Sequence, residues 1–376
     1  MKGGDYNLRT MPNTLLGGLT PRQFLEEYWQ KRPLLIRNAL PGYTGLLQRN
    51  ELLELACRDD VESRLIKCDD WSLKHGPLAK RDFPALKKPW TVLVQGVNLM
   101  LDEGDQLLRQ FDFIPHARLD DLMASYATDG AGVGPHFDNY DVFLLQGAGR
   151  RRWRIGAQKD KTLVDGLPLK ILKNFRPTDE FLLNPGDMLY LPPQFAHDGI
   201  AEGECTTWSI GFRAPPYSEL GDGFLTHLQD SLNLAGRYAD PDLRLQAHAG
   251  EISATMIDRV AAEMEKIRWQ RSTIADFLGC YLTEPKPSVY FEPPEKPMSC
   301  RLFEMAAKKR GVRLDRRTQL LFAGKQFYIN GERLDSTVVE RHSLQQLADR
   351  RELSSIETGA CDAFYQWYCD GFLHLR

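Results

Sequence analysis

The sequence predicts a mainly β domain, followed by an α-helical domain and a small α+β winged-helix domain. Three observations carry this reading. Between Leu119 and Phe212 short apolar runs alternate with glycine- and proline-marked turns, the pattern of an all-β sandwich or barrel. After Pro215-Pro216 the apolar positions change to helical spacing, as in Met256, Ile257, Val260, Met264 and Ile267. Past a stretch with five prolines (285, 287, 293, 294 and 297), the run Phe327–Leu334 holds an Asn330-Gly331 hairpin signal between amphipathic helices. The expected organisation is a β domain over 1–215 with N-terminal helical elements, a helical domain over 216–283, a linker over 284–298 and a winged-helix domain over 299–376. From spacing alone the helical domain suits equally an oligomerisation element or a cap on the β domain.

Taken in order, Thr20-Pro21-Arg22-Gln23 opens a helix. Thr20 can cap, Pro21 suits the first helical position and Gln23 completes a capping box. Phe24, Leu25, Tyr28 and Trp29 follow at helical spacing until Pro33, and Leu34-Leu35-Ile36 reads as a short buried strand. A second helix is expected at about 48–58 and a strand at Trp90–Gln95. The β region then divides into strands at 122–127, 136–146, 151–156, 187–191 and 205–213, and residues 217–282 read mostly as helix.

Whole-chain properties narrow the function. A length of 376 residues calls for two or three domains, and 42% hydrophobic with 26% charged residues is a globular composition. A net charge of -3 argues against a protein that coats nucleic acid. Seven cysteines are dispersed with no C-x-x-C pair, which reads as reduced thiols. The opening Met-Lys-Gly-Gly-Asp-Tyr lacks the apolar core of a signal peptide, and no apolar run approaches membrane-spanning length. A cytoplasmic location is expected.

The chemistry centres on Gly130-Ala131-Gly132-Val133-Gly134-Pro135-His136-Phe137-Asp138. On a strand, His136 and Asp138 would share one face. The frame Pro185-Gly186-Asp187-Met188-Leu189-Tyr190-Leu191-Pro192-Pro193 leads to His197, expected just past its strand. Two histidines and one carboxylate on one face of a metal, with the opposite positions open, is the arrangement of non-haem Fe(II) oxygenases. Alternation along Arg150–Ile155 places Arg151, Trp153 and Ile155 inward, and Arg150, Arg152 and Arg154 outward as a basic strip that could meet RNA. An inward guanidinium needs an anion, and the distal carboxylate of 2-oxoglutarate would supply one. Ser125 shares a face with Met123; its hydroxyl either assists Arg151 or bonds neighbouring backbone.

Four phrases resemble the bacterial JmjC-type ribosomal oxygenases: 133–143, 149–156, 185–197 and 209–215. The likeness extends to Tyr28–Pro33, Ser63-Arg64 and His75-Gly76-Pro77, and is weakest in the helical segment and the C-terminal module. The resemblance implies a double-stranded β-helix (cupin, JmjC) catalytic domain, a helical dimerisation domain giving a homodimer, and a winged-helix domain. It implies His136, Asp138 and His197 as iron ligands, Arg151 and Ser125 as the 2-oxoglutarate-binding positions, and Fe(II), 2-oxoglutarate and O2 as cofactor and co-substrates. The implied substrate is an arginyl residue of the sixteenth large-subunit ribosomal protein, hydroxylated on its β-carbon. Asp129, Asp141 and Asp198 are candidates for an acidic rim that would suit it, although each reads more readily as an ordinary loop acid. The competing readings are the same chemistry on a histidyl residue or another protein, a different cupin enzyme that would not need an inward Arg151, and a metal-binding regulator whose winged helix binds nucleic acid. The net charge disfavours the last, and no direct nucleic-acid or membrane contact is expected.

Overall fold

The computed structural model describes residues 14–232, 234–334, 338–356 and 361–376. The opening six residues and the Cys361 side chain lie outside the described part. Helix α1 (Pro21–Glu27) begins as expected: the Thr20 hydroxyl accepts the Gln23 N–H, and the Gln23 side chain accepts the Thr20 N–H. There follow β1 (Leu34–Ile36), α2 (Arg49–Leu55), β2 (Ser63–Lys67), β3 (Ser72–His75), β4 (Trp90–Val94), α3 (Val97–Met100) and α4 (Asp102–Arg109). The β region contains β5 (Leu119–Ala127), β6 (His136–Phe137), β7 (Val142–Gln146), β8 (Arg150–Gly156), β9 (Asp179–Leu183), β10 (Met188–Leu191), β11 (Ala196–Glu202) and β12 (Cys205–Phe212).

These strands form two sheets. The larger has eight strands in the order β1-β10-β7-β12-β5-β4-β2-β3, and the smaller has four in the order β6-β11-β8-β9. Strand alternation gives the large sheet two apolar faces. One packs Phe143, Leu145, Tyr190, Trp208 and Ile210 against Phe24 of α1, Leu52 of α2 and Leu107 of α4. The other meets the small sheet: Val142, Leu144, Leu189 and Leu191 lie against Trp153, Ile155 and Leu183. The two-sheet β-helix expected from the sequence is therefore present, with the space between the sheets facing the motif residues.

One sequence expectation is corrected. Residues 136–146 are not one strand: β6 belongs to the small sheet and β7 to the large one. Asp138-Asn139-Tyr140-Asp141 carries the chain across, and Asp141 is buried where the Tyr190 hydroxyl (2.6 Å) and Gln30 amide (2.9 Å) bind it. Helix is interrupted between α5 (Tyr217–Ser231), α6 (Ala254–Met264) and α7 (Arg271–Thr283); Leu234 to Ser253 contain none, consistent with Gly236, Pro241 and Gly250 in that stretch.

The C-terminal part comprises α8 (Cys300–Arg310), β13 (Val312–Leu314), β14 (Leu320–Ala323), β15 (Gln326–Ile329), β16 (Glu332–Leu334), α9 (Val338–Arg350), β17 (Glu352–Leu353), α10 (Cys361–Cys369) and β18 (Leu373–Leu375). Ile329 pairs with Glu332, so Asn330 and Gly331 form the two-residue turn, both at positive φ (47° and 92°) as the sequence predicts. Helix α7 packs on this hairpin. The Tyr328 hydroxyl donates to Asp276 (2.7 Å), and the Gly331 N–H donates to the Thr283 hydroxyl (3.0 Å). Gly279 is required there, because a Cβ would come within 2.3 Å of the Tyr328 ring. Gly279→Ala should destabilise the protein by about 1–3 kcal/mol, read as a lower thermal midpoint. The proline-rich segment is a strap laid along the surface: Phe291 stacks edge-on against Phe372 (4.5 Å), and Lys286 pairs with Asp120 of β5 (3.0 Å).

Candidate metal centre

The small sheet presents its site residues by register. His197 of β11 stands directly opposite His136 of β6 on one side and Ile155 of β8 on the other. Directly opposed residues share a face, so His136, His197, Ile155, Trp153 and Arg151 all look into the inter-sheet space. His197 thus lies just past β10, as the sequence suggested, and inside the next strand, β11. Asp138 follows the end of β6 yet turns back to the histidines. Its carboxylate oxygens lie 3.9 Å from His136 Nε2 and 3.5 Å from His197 Nε2. One ligand atom from each of the three residues falls within 4.8 Å of the others; no other such group of three occurs among the described residues.

The surroundings prepare both imidazoles as ligands. Each Nδ1 faces a backbone carbonyl at 2.9 Å, that of Gly134 for His136 and that of Phe195 for His197. A carbonyl only accepts, so Nδ1 carries the proton and Nε2 presents its lone pair to the cluster. Burial, assisted by the neighbouring His136, lowers the His197 pKa to about 4, which keeps this ring neutral. The glycine run lets the preceding loop pass close behind: a Cβ on Gly132 would meet the Gly199 carbonyl of β11 at 2.4 Å.

Arg151 is 4% exposed, and among the described residues no carboxylate pairs with it. Its Nε and Nη2 have no hydrogen-bond partner, and its guanidinium lies 5.8 Å from the Trp153 ring centre. A buried cation with unused donors is costly unless an anion completes it. Ser125 is buried on β5 and donates to the Thr207 carbonyl at 3.4 Å, a long bond that leaves its oxygen able to accept. By alternation it faces the same inter-sheet space. The three-ligand cluster and the unpaired guanidinium therefore fit a metal ion and a carboxylate-bearing co-substrate.

The outward arginines behave differently from the expected basic strip. Arg152 pairs with Glu180 (2.5 Å) and Glu202, Arg154 with Asp198, and Arg150 with Glu202 (3.7 Å). Acids on β9 and β11 thus neutralise the strip. The three candidate rim acids are engaged within the fold, as the alternative reading of them as ordinary acids has it. Asp198 is taken by Arg154, Asp141 by Tyr190 and Gln30, and Asp129 accepts the Gly203 N–H (2.7 Å).

The acid that the sequence reading missed is Asp121. It is 4% exposed on β5, four residues before Ser125 and on the same alternation. Burial raises its pKa above the usual carboxylate value. Tyr140 lies near both Asp121 and the cluster: partial enclosure, then the carboxylates of Asp138 and Asp121, raise that phenol. The strand expected over 122–127 stops one residue short of Asp121, and the pairing of β5 with β12 shifts register between Leu119 and Leu122.

A two-sheet β-helix holding two histidines and one carboxylate between its sheets, with a buried arginine alongside, defines a JmjC-type oxygenase. The JmjC domain family matches residues 106–220, and the family of ROXA-like winged helices matches residues 266–374. The chain is 34% identical over 363 residues to the probable ribosomal oxygenase of Haemophilus influenzae, covering 89% of this chain and 87% of that protein. It is 34% identical over 348 residues to the ribosomal protein uL16 3-hydroxylase of Escherichia coli K12, covering 89% and 90%. The structure of Escherichia coli YcfD, a ribosomal oxygenase, in complex with cobalt and 2-oxoglutarate superposes with a TM-score of 0.80 at 31% identity, covering 95% of this chain and 98% of that one. The chain belongs to the bacterial ribosomal oxygenase family.

Proposed function

We propose that this protein is an Fe(II)- and 2-oxoglutarate-dependent dioxygenase that hydroxylates the β-carbon of an arginyl residue in the large-subunit ribosomal protein uL16. The observation that carries the reading is the pairing of the His136–Asp138–His197 cluster with an unpaired, buried Arg151 on the same face. His136, Asp138 and His197 would hold the iron. When bound, Fe(II), 2-oxoglutarate and O2 supply the oxidation that turns a C–H bond into C–OH, with succinate and CO2 as co-products. Arg151 holds the distal carboxylate of 2-oxoglutarate by charge-assisted hydrogen bonds, and the Ser125 hydroxyl supports it. Trp153, Ile155, Leu144 and Leu191 line the space and exclude water.

Asp121 favours a cationic substrate side chain. Asp121 already accepts the Gly96 N–H (3.0 Å) and lies near the Lys286 ammonium, and a substrate guanidinium would add to that pairing where a neutral imidazole would not. Asp121→Asn should raise the KM for uL16 roughly tenfold or more, because one bond to a charged group contributes about 1.5–3 kcal/mol. Substrate-independent conversion of 2-oxoglutarate should persist. An unchanged KM would remove the argument for arginine over histidine.

A homodimer and a cytoplasmic location complete the proposal. Helix α6 leaves Met256, Ile257 and Val260 exposed by 40%, 56% and 41%, an apolar stripe that a second copy would cover. Among the described residues no helix is long and apolar enough to cross a membrane. The winged helix is read as a protein-contacting module, because Arg313, Arg316 and Arg317 are engaged within the chain. The function is tested by following succinate formation with and without purified uL16. Stimulation by uL16 that depends on Fe(II) is the expected result, and indifference to uL16 would contradict the substrate.

A further inference from the structure

We propose that the winged-helix domain positions the substrate side of the active site, acting through Arg316 and the short helix α3. The proposal rests on the reading of Asp121 given above. Arg316 precedes β14 and reaches across to the β domain. Its Nε donates to the Leu99 carbonyl (2.7 Å) and its Nη1 to Asp102 (2.8 Å); Arg313 donates to the other oxygen of Asp102 (3.1 Å). The loop that carries Arg316 is itself braced. The buried Arg351 donates to the carbonyls of Thr318 (3.0 Å) and Asp315 (2.8 Å), and its Nε lies 3.7 Å from Asp105 of α4.

What Arg316 grips is joined directly to the site wall. Helix α3 is a single turn. At its start the Gly96 N–H donates to Asp121 (3.0 Å), and the Asn98 side chain accepts the Leu122 N–H (2.9 Å), both bonds buried. The Leu99 N–H bonds back to the Gly96 carbonyl (2.8 Å), so the gripped end and the holding end of α3 are one hydrogen bond apart. A spacer that short transmits displacement without slack. The strap adds a second hold at the same point, through Lys286 and Asp120. The C-terminal domain therefore sets where the Asp121 carboxylate stands, at the end of β5 away from Ser125, while His136, Arg151 and His197 stand on β6, β8 and β11 of the other sheet.

Arg316 is on this account a positioning residue, and a contact that merely glued two domains would not separate the two halves of the reaction. The test uses the full-length, Fe(II)-loaded protein. Arg316→Ala should raise the KM for uL16 roughly tenfold with kcat little changed. Substrate-independent 2-oxoglutarate turnover should match wild type, and Arg316→Lys, which keeps a charge on Asp102, should recover most of the KM. An unchanged KM, or a parallel loss of 2-oxoglutarate turnover, would overturn the proposal. Should Arg316→Ala fail to fold, Arg316→Gln, which loses the Nε donor to Leu99 and the charge on Asp102, is read by the same two outcomes. Asp121→Asn separates the two claims. If it leaves the KM unchanged, both fall; if it raises the KM while Arg316→Ala does not, only the positioning role falls.

Discussion

Asp138→Ala abolishes both metal binding and 2-oxoglutarate turnover. The cluster offers three donors, and Asp138 is the only anionic one. Without it two neutral imidazoles face the space, a donor set with no charge to balance a divalent cation. His136 and His197 would each remain oriented by their carbonyl partners, so the loss would come from ligation and not from a collapsed site. Asp138 is partly exposed and caps no core, so the thermal midpoint of the metal-free variant should stay near wild type. Calorimetric titration with Fe(II) or Co(II) measures the first effect, and succinate formation measures the second. Undiminished turnover in this variant would remove the metal assignment.

Arg151→Met has the second-largest effect, and it separates two contributions of one residue. The 2-oxoglutarate requirement should rise roughly ten- to a hundredfold, because a charge-assisted contact of about 1.5–3 kcal/mol is lost. The cofactor-free protein should become more stable. In wild type Arg151 buries a charge whose Nε and Nη2 are unpartnered, and an apolar side chain of similar reach removes that penalty. Thermal unfolding without 2-oxoglutarate checks this half. A variant that loses both affinity and stability would mean that Arg151 serves the fold and not the co-substrate.

The parts legible in the sequence were those governed by local rules. The capping box at Thr20, the Asn330-Gly331 turn and the alternation of Arg151 against Arg150, Arg152 and Arg154 depend on a few neighbouring residues, and each appears as expected. Strand β11 was not legible. Its residues Ala196–Glu202 mix polar and apolar without alternation, because Asp198 is buried by pairing with Arg154 and Gly199 is pressed beneath the Trp153 ring. The partners of the candidate rim acids were not legible for a related reason. Asp141 is consumed by Gln30 and Tyr190, which lie 111 and 49 positions away, and no local pattern announces such partners. Asp121 was missed because the expected strand began at 122, one residue short of it, and its setting depends on Gly96 and on a domain more than a hundred residues further along the chain.

The central claim is most directly tested by intact-mass analysis of large-subunit ribosomal proteins incubated with this protein, Fe(II), 2-oxoglutarate and O2, followed by fragmentation of any protein whose mass changes. The account predicts that uL16 alone gains the mass of one oxygen atom, placed on the β-carbon of one arginyl residue. Consumption of 2-oxoglutarate with no mass gain on uL16, or a gain placed on a histidyl residue, would contradict it.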